Sequence, residues 1–313
     1  MYKIASFFSG TGGIELAFAK YNKYKVIFFN DFDNSSIECL KANFPNTKIY
    51  KEKIELLDEN NIEDFDILTG GFPCQPFSVA GLRKGFKDDR AKCIKQLLKI
   101  IQTKKPKIVL LENVKNILNN ELFFEEIIIK LQKIGYFVKY KILNTKNFSL
   151  PQNRERLYIV CFLNKKMFDS FNFPDKSLSQ NDIKNFFILD DSVENKYFYT
   201  HKFKHYEKIK TILNDKDLET FYQWRRVYLR RNKNNICPTL TANMGTGGNN
   251  VPLIKYNNKI RKLTPKECFK LQGFNEDYKL PKLADNKLYK LVGNAVSINV
   301  VDAIVKKLNE VLF

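Results

Sequence analysis

Metal-ligating and cross-linking residues are scarce and scattered in this 313-residue chain. The six cysteines (Cys39, Cys74, Cys93, Cys161, Cys237, Cys268) form no Cys-x-x-Cys pair. That argues against a zinc cluster and a disulfide framework and suits a reducing cytoplasm. The only two histidines, His201 and His205, have helical i, i+4 spacing but no acidic or cysteine ligand clearly joined to them. No metal site is expected, and both are assigned to a solvated basic face. No apolar run reaches the ~18 residues of a membrane span, and no cleavable signal is expected at the strand-like start. Acidic residues are also in deficit, 34 against 53 Lys and Arg, a formal charge of +19. The excess favours a polyanionic partner such as nucleic acid. Abundant Lys, Asn, Ile and Phe also fit an AT-rich genome, so charge corroborates without deciding.

What is present is concentrated in short motifs. Phe65-Asp66-Ile67-Leu68-Thr69 reads as a buried strand and runs into Gly71-Phe72-Pro73-Cys74-Gln75-Pro76-Phe77-Ser78. A buried structural cysteine is the ordinary expectation. Here the prolines flanking Cys74-Gln75 and the polar residues beyond them argue for a poised thiol, the strongest neutral-pH nucleophile among side chains. A second run, Ile108-Val109-Leu110-Leu111, delivers Glu112 to a strand end. Strand ends are where open α/β sheets bind ligands.

Apolar runs alternate with amphipathic stretches up to about residue 163. Strands are expected at 3–8, 25–29, 66–69, 108–112, 136–143 and 157–163, and helices near 14–21, 34–43, 90–102 and 122–134. This order predicts an α/β fold with a doubly wound, mostly parallel sheet and an antiparallel strand at its end. From 164 to about 258 the chain turns irregular, rich in Asn, Lys and aromatics, as for a second, smaller domain. Periodicity returns over 259–313, with helices expected at Pro265–Gln272 and Asn299–Leu312. The division expected is therefore 1–163 with 259–313, and 164–258.

A Gly-rich turn, Phe8-Ser9-Gly10-Thr11-Gly12-Gly13, joins the first strand to the first helix, so that backbone and a helix N-terminus approach a ligand. A dinucleotide fingerprint needs glycine where Glu15 stands, and no Walker-type Gly-Lys-Ser/Thr occurs. Glu15 would repel a pyrophosphate and tolerate a cationic ligand. Asp31 follows the second strand, where a carboxylate can accept both ribose hydroxyls. Helix capping, its plainer role, falls better to Asp33 or Asn34.

Together with Gln152-Asn153-Arg154-Glu155-Arg156, Arg261-Lys262-Leu263-Thr264-Pro265-Lys266-Glu267-Cys268 and Gly293-Asn294-Ala295-Val296, these motifs resemble, in order, the bacterial DNA cytosine-5 methyltransferases. The resemblance spans the chain from first strand to C-terminus. It implies a Rossmann-like methyltransferase fold, S-adenosylmethionine as methyl donor, and duplex DNA as substrate. Cys74 then adds to carbon 6 of cytosine, making carbon 5 nucleophilic, while Glu112 acts at nitrogen 3. Arg156 acts near oxygen 2, and Arg154 points toward the reacting base and neighbouring elements. Phe8, Gly10, Thr11, Gly12, Gly13, Asp31, Ile54, Gly71, Pro73, Asn294 and Val296 line the cofactor pocket, with Phe32 stacked on adenine. One departure stands out: where many relatives place an acid against the adenine amine, an ungapped reading gives Lys53, with Glu52 or Glu55 as the shifted alternatives.

The target carbon lies inside the DNA stack, so the base must be flipped out. Residues 75–90 suit a lid that starts at the nucleophile. Gln75, Ser78, Arg83, Lys84, Lys87 and Arg90 would meet DNA, with Gly81 and Gly85 as hinges. Arg225, Arg226 and Arg230 offer guanidinium groups to guanine or phosphate. Thr239 and Leu240 resemble the Thr-Leu element of the family's target-recognition region, assigned here to 164–258. The family further implies a cytoplasmic, nucleoid-associated monomer paired functionally with a restriction endonuclease. Two alternatives remain: a tRNA methyltransferase on the same fold, whose usual Cys-Phe-Thr motif is missing, and an inactive DNA-binding relative.

Overall fold

The computed structural model describes residues 1–73, 92–176, 183–188, 192–215, 220–225, 227–246 and 251–313. By their internal contacts they fall into two compact units. The first comprises Met1–Leu143, Glu155–Asp175 and Val300–Phe313, and the second Asn144–Arg154 and Lys176–Asn299. The cuts differ from the change in sequence character at 164 and 258, because residues 259–299 make their contacts within the second unit.

In the first unit the strands are β1 (Tyr2–Phe7), β2 (Tyr24–Asn30), β3 (Lys48–Tyr50), β4 (Ile67–Gly70), β5 (Ile108–Val114), β6 (Phe137–Asn144) and β7 (Glu155–Phe162). Their order across the sheet is β3-β2-β1-β4-β5-β7-β6. The pairs from β3 to β5 are parallel, and β5 meets β7 antiparallel with Glu112 opposite Tyr158. Parallel strands are covered on both faces, which is why β4 is buried throughout and β5 is continuously apolar until Glu112.

The helices are α1 (Gly13–Ala19), α2 (Asn34–Asn43), α3 (Lys92–Lys104) and α4 (Glu121–Ile134). α3 buries Ile94, Leu97, Leu98 and Ile101, one stripe at helical spacing. α4 ends at Gly135, whose φ of 112° suits a residue without a β-carbon. The last helix, Ile298–Leu312, reaches the start of the sheet: Tyr21 and Tyr24 donate hydroxyls to Asp302 (2.9 Å) and Asn309 (2.6 Å).

The stretch Asp285–Leu312 has the length and hydropathy of a membrane helix, yet 67% of its apolar window is buried within the protein. It is also broken after Asn294, where Ala295 is extended. Burial and the break mark it as core.

The second unit holds a five-stranded sheet of β8 (Phe198–Tyr199), β9 (Tyr222–Arg225), β10 (Tyr228–Arg231), β11 (Leu253–Tyr256) and β12 (Lys259–Lys262), ordered β10-β9-β11-β12-β8. Its described pairs are antiparallel. Ile209, Ile212, Tyr222, Trp224, Leu253 and Ile260 form a core under it. Beside it, Arg261 and Glu267 make a fully buried ion pair at 2.6 Å. Glu267 also closes the capping box of helix Pro265–Lys270 through Thr264.

Candidate active site

The turn after β1 is built on left-handed backbone, with φ of 51° at Phe8, 55° at Gly10 and 72° at Gly12. At Gly12 a β-carbon would also lie 2.6 Å from the Phe44 ring, so both space and backbone demand glycine. The Gly10 N–H donates to Asp31 Oδ2 at 2.8 Å, and the Asp33 N–H to Asp31 Oδ1 at 2.9 Å. Asp33, not Asp31, caps α2, through the Ser35 and Ser36 N–H groups. Asp31 therefore stands at the strand end with both oxygens oriented by backbone. Burial raises its pKa, and the two N–H groups oppose that rise.

Phe32, the next residue, leaves 59% of its surface exposed, an open aromatic face beside a carboxylate. Thr11, Gly12, Gly13 and Ile54 are buried, while Phe8, Gly10 and Gly71 are half-buried and Pro73 is exposed. An exposed ring, an oriented carboxylate and close-approach backbone at one edge fit a nucleoside-bearing ligand such as S-adenosylmethionine.

Glu15 differs from expectation. It is buried, and Thr69 Oγ1 donates to its carboxyl at 2.5 Å. Its carboxyl is directed at Ser6 of β1 and Thr69 of β4, inside the fold.

At the ends of β5 and β7, Arg156 Nε lies 3.2 Å from Glu112 Oε1, both side chains nearly buried. A β-carbon at Gly71 would lie 3.5 Å from Glu112 Oε2. Asn113, between Glu112 and Val114, donates its amide to the Phe72 carbonyl at 3.0 Å, fixing the segment that leads to residue 74. Carboxylate, guanidinium and the Gly71–Pro73 segment thus share one sheet edge.

Cys74, Gln75, Ser78, Arg83, Lys84, Lys87, Arg90 and Arg226 lie outside the described residues, as does the expected lid.

In the second unit Arg154 is 1% exposed and spends its guanidinium on backbone. It donates to the carbonyls of Leu240 (2.9 Å), Gly293 (3.1 Å) and Ala295 (2.8 Å). Gln152 assists, donating to the Leu271 carbonyl at 2.9 Å and accepting the Leu240 N–H at 3.2 Å. Of the two directions expected for Arg154, the reacting base and the neighbouring elements, these hydrogen bonds follow the second. Leu240, also 1% exposed, packs within its unit instead of presenting a side chain to DNA. Thr239 is tied to the Asn153 carbonyl at 2.6 Å. At Gly293 a β-carbon would collide with the Thr241 backbone, so the 240–242 segment and the end of helix Asp285–Asn294 touch backbone to backbone. Asn294, exposed, and Val296, half-buried, follow on that braced segment.

The β9–β10 ribbon pairs Arg225 with Tyr228 and Gln223 with Arg230. Cross-strand partners share a face, so these four project from one side. On the other side Trp224 is buried and stacks on His205 at 5.0 Å, which accounts for one of the two histidines.

The sequence pattern of the C-5 cytosine-specific DNA methylase family matches residues 2–310. The Type II methyltransferase M.Bsp6I of Bacillus sp. strain RFL6 is 44% identical, the alignment covering 98% of either chain. M1.ScrFI of Lactococcus lactis subsp. cremoris, also a Type II methyltransferase, is 35% identical over 99% of this chain and 79% of its own. Among solved structures, the Entamoeba histolytica methyltransferase EhMeth has a TM-score of 0.79 at 22% identity, covering 100% of this chain and 99% of its own. That likeness bears on the fold alone.

Proposed function

The chain belongs to the C-5 cytosine-specific DNA methylase family, which makes it a DNA cytosine-5 methyltransferase, and from that premise we propose how its residues work. S-adenosylmethionine, when bound, supplies the methyl group. Asp31 would hold the ribose hydroxyls, Phe32 the adenine face, and the Phe8–Gly13 backbone the amino-acid end. The target cytosine leaves the duplex and enters beside Glu112. The Cys74 thiolate adds to carbon 6, and the displaced electron pair moves into the ring toward nitrogen 3 and oxygen 2. Glu112 stabilises the charge at nitrogen 3 and Arg156 at oxygen 2, after which carbon 5 is nucleophilic. Once carbon 5 carries the methyl group, loss of its proton to water and elimination of the Cys74 thiolate restore the aromatic ring and free the nucleophile.

The observation that carries this reading is the Glu112–Arg156 pair beside the Gly71–Pro73 segment. On the DNA side, the exposed Arg225 and Arg230 suit groove or phosphate contacts, since a two-stranded ribbon fits the major groove. We assign Arg154 to positioning. Functional pairing with a restriction endonuclease follows the Type II naming of the relatives. The test is methylation-sensitive sequencing of DNA from cells expressing the protein, with labelled transfer to duplex DNA and to tRNA in parallel. Methylcytosine at one short duplex sequence is expected. Label on tRNA alone would overturn the reading.

A further inference from the structure

Asn30 ends β2 and uses its side-chain amide to hold the exit of β3, donating to the carbonyls of Tyr50 (3.2 Å) and Glu52 (2.7 Å). The Asp31 N–H adds a third tie, to the Tyr50 carbonyl at 3.2 Å. The chain then turns at Lys53 into the short helical segment Ile54–Leu56, pinned by the buried Ile54. These ties bring Lys53 across from Phe32, with its ammonium 5.9 Å from the centre of the exposed ring. That is the outer range of a cation–π contact, and it sets the ammonium beside the aromatic face assigned above to adenine. Glu55 lies toward α3, where burial and then its charge push the Cys93 thiol up to about 11.

We infer that Lys53 sets how the purine of the cofactor is recognised, and that this site reads the ring nitrogens and not the 6-amino group. The inference rests on the cofactor reading above. An ammonium carries three donors and no acceptor. Adenine's ring nitrogens accept hydrogen bonds, whereas its 6-amino group donates them. Lys53 can therefore bond a ring nitrogen but cannot receive the amine. A carboxylate at the same place would do the reverse. With Lys53 present, deleting the 6-amino group removes nothing that the ammonium was holding. With Lys53→Asp, the same deletion removes a charge-assisted bond.

The experiment is titration calorimetry of the full chain with S-adenosylhomocysteine and with its 6-deamino counterpart, the purine riboside analogue. The wild-type protein should bind the two within about threefold of each other, whereas Lys53→Asp should favour the amino compound about tenfold or more. A wild-type preference of about tenfold for the amino compound, unchanged in Lys53→Asp and Lys53→Ala, would show that another group accepts the amine and overturn the inference. The wild-type ratio alone is decisive if the variants misfold. If S-adenosylhomocysteine itself fails to bind, the cofactor reading falls and this inference with it.

Discussion

Arg154 donates to the carbonyl of Leu240 at 2.9 Å, while the same guanidinium holds the carbonyls of Gly293 and Ala295. One side chain therefore joins the Thr239-Leu240 element to the turn carrying Asn294 and Val296. Removing it withdraws donors from three carbonyls in a dry interior. Arg154→Met, of similar length, should cost roughly 3 kcal/mol or more. Thermal unfolding checks this. A variant with undiminished stability but no methyl transfer would return Arg154 to a catalytic role.

Glu15 gives a test with a pH sign. Burial raises its pKa above the ordinary carboxylate range, opposed by hydrogen bonds led by Thr69. The folded protein therefore holds this proton to higher pH than the unfolded chain does. Glu15's contribution is fully present below the unfolded pKa and is lost as pH rises through the folded one. Glu15→Gln imitates the protonated form. It should be more stable than wild type at neutral pH and lose that advantage in acid below the ordinary glutamate range. Denaturant unfolding at both ends of that range checks it, and a gain confined to acid would contradict it.

Asp31 holds the Gly10 and Asp33 backbone, so its replacement should affect the turn as well as any ribose contact. Asp31→Ala is expected to weaken S-adenosylmethionine binding by roughly 1–3 kcal/mol, the usual cost of leaving polar partners unpaired. Unchanged affinity by calorimetry would remove Asp31 from the site.

Much of this arrangement was legible in sequence because the sheet is buried on both faces. Continuous apolar runs such as 108–111 have few readings other than strand, and Glu112 then falls at a strand end. β3 escaped notice because Lys48-Ile49-Tyr50 is short and mixed in polarity. Helix Asp285–Asn294 was hidden by its Asn and Lys residues. The alternation Arg-x-Arg predicts opposite faces for Arg154 and Arg156. It cannot reveal that Arg154's acceptors lie 86 and 139 residues away. Likewise Lys53 meets Phe32 only because Asn30 ties two strand ends together.

The exposed Arg225 and Arg230 share one face of the ribbon, whereas Arg231 is on the other face and bonded to Asp215 at 2.6 Å. Arg225→Ala and Arg230→Ala should weaken DNA binding and reduce its dependence on salt. If either guanidinium reads a base, the cognate duplex should lose about 1–3 kcal/mol more than a random one. Arg231→Ala should leave that difference unchanged. Equal losses on cognate and random duplexes would confine the arginines to phosphate.

Cys74 carries the most exposed prediction. If its thiolate adds to carbon 6, a duplex with 5-fluorocytosine at the target position should trap the enzyme. Fluorine does not leave as a proton does, so the adduct present after methyl transfer has no exit. The complex should survive denaturation, require S-adenosylmethionine, and map to the peptide containing Cys74. The other cysteines, Cys39, Cys93, Cys161, Cys237 and Cys268, are all buried, which keeps DNA away from them, and burial raises the pKa of the last four. Cys74→Ser should form no adduct, because a hydroxyl of far higher pKa is a much poorer nucleophile near neutrality. That variant should still bind DNA, since groove and phosphate contacts do not need the thiol. Mass spectrometry of the trapped peptide decides the matter: an adduct on any other cysteine, or efficient methylation by the serine variant, would overturn the assignment.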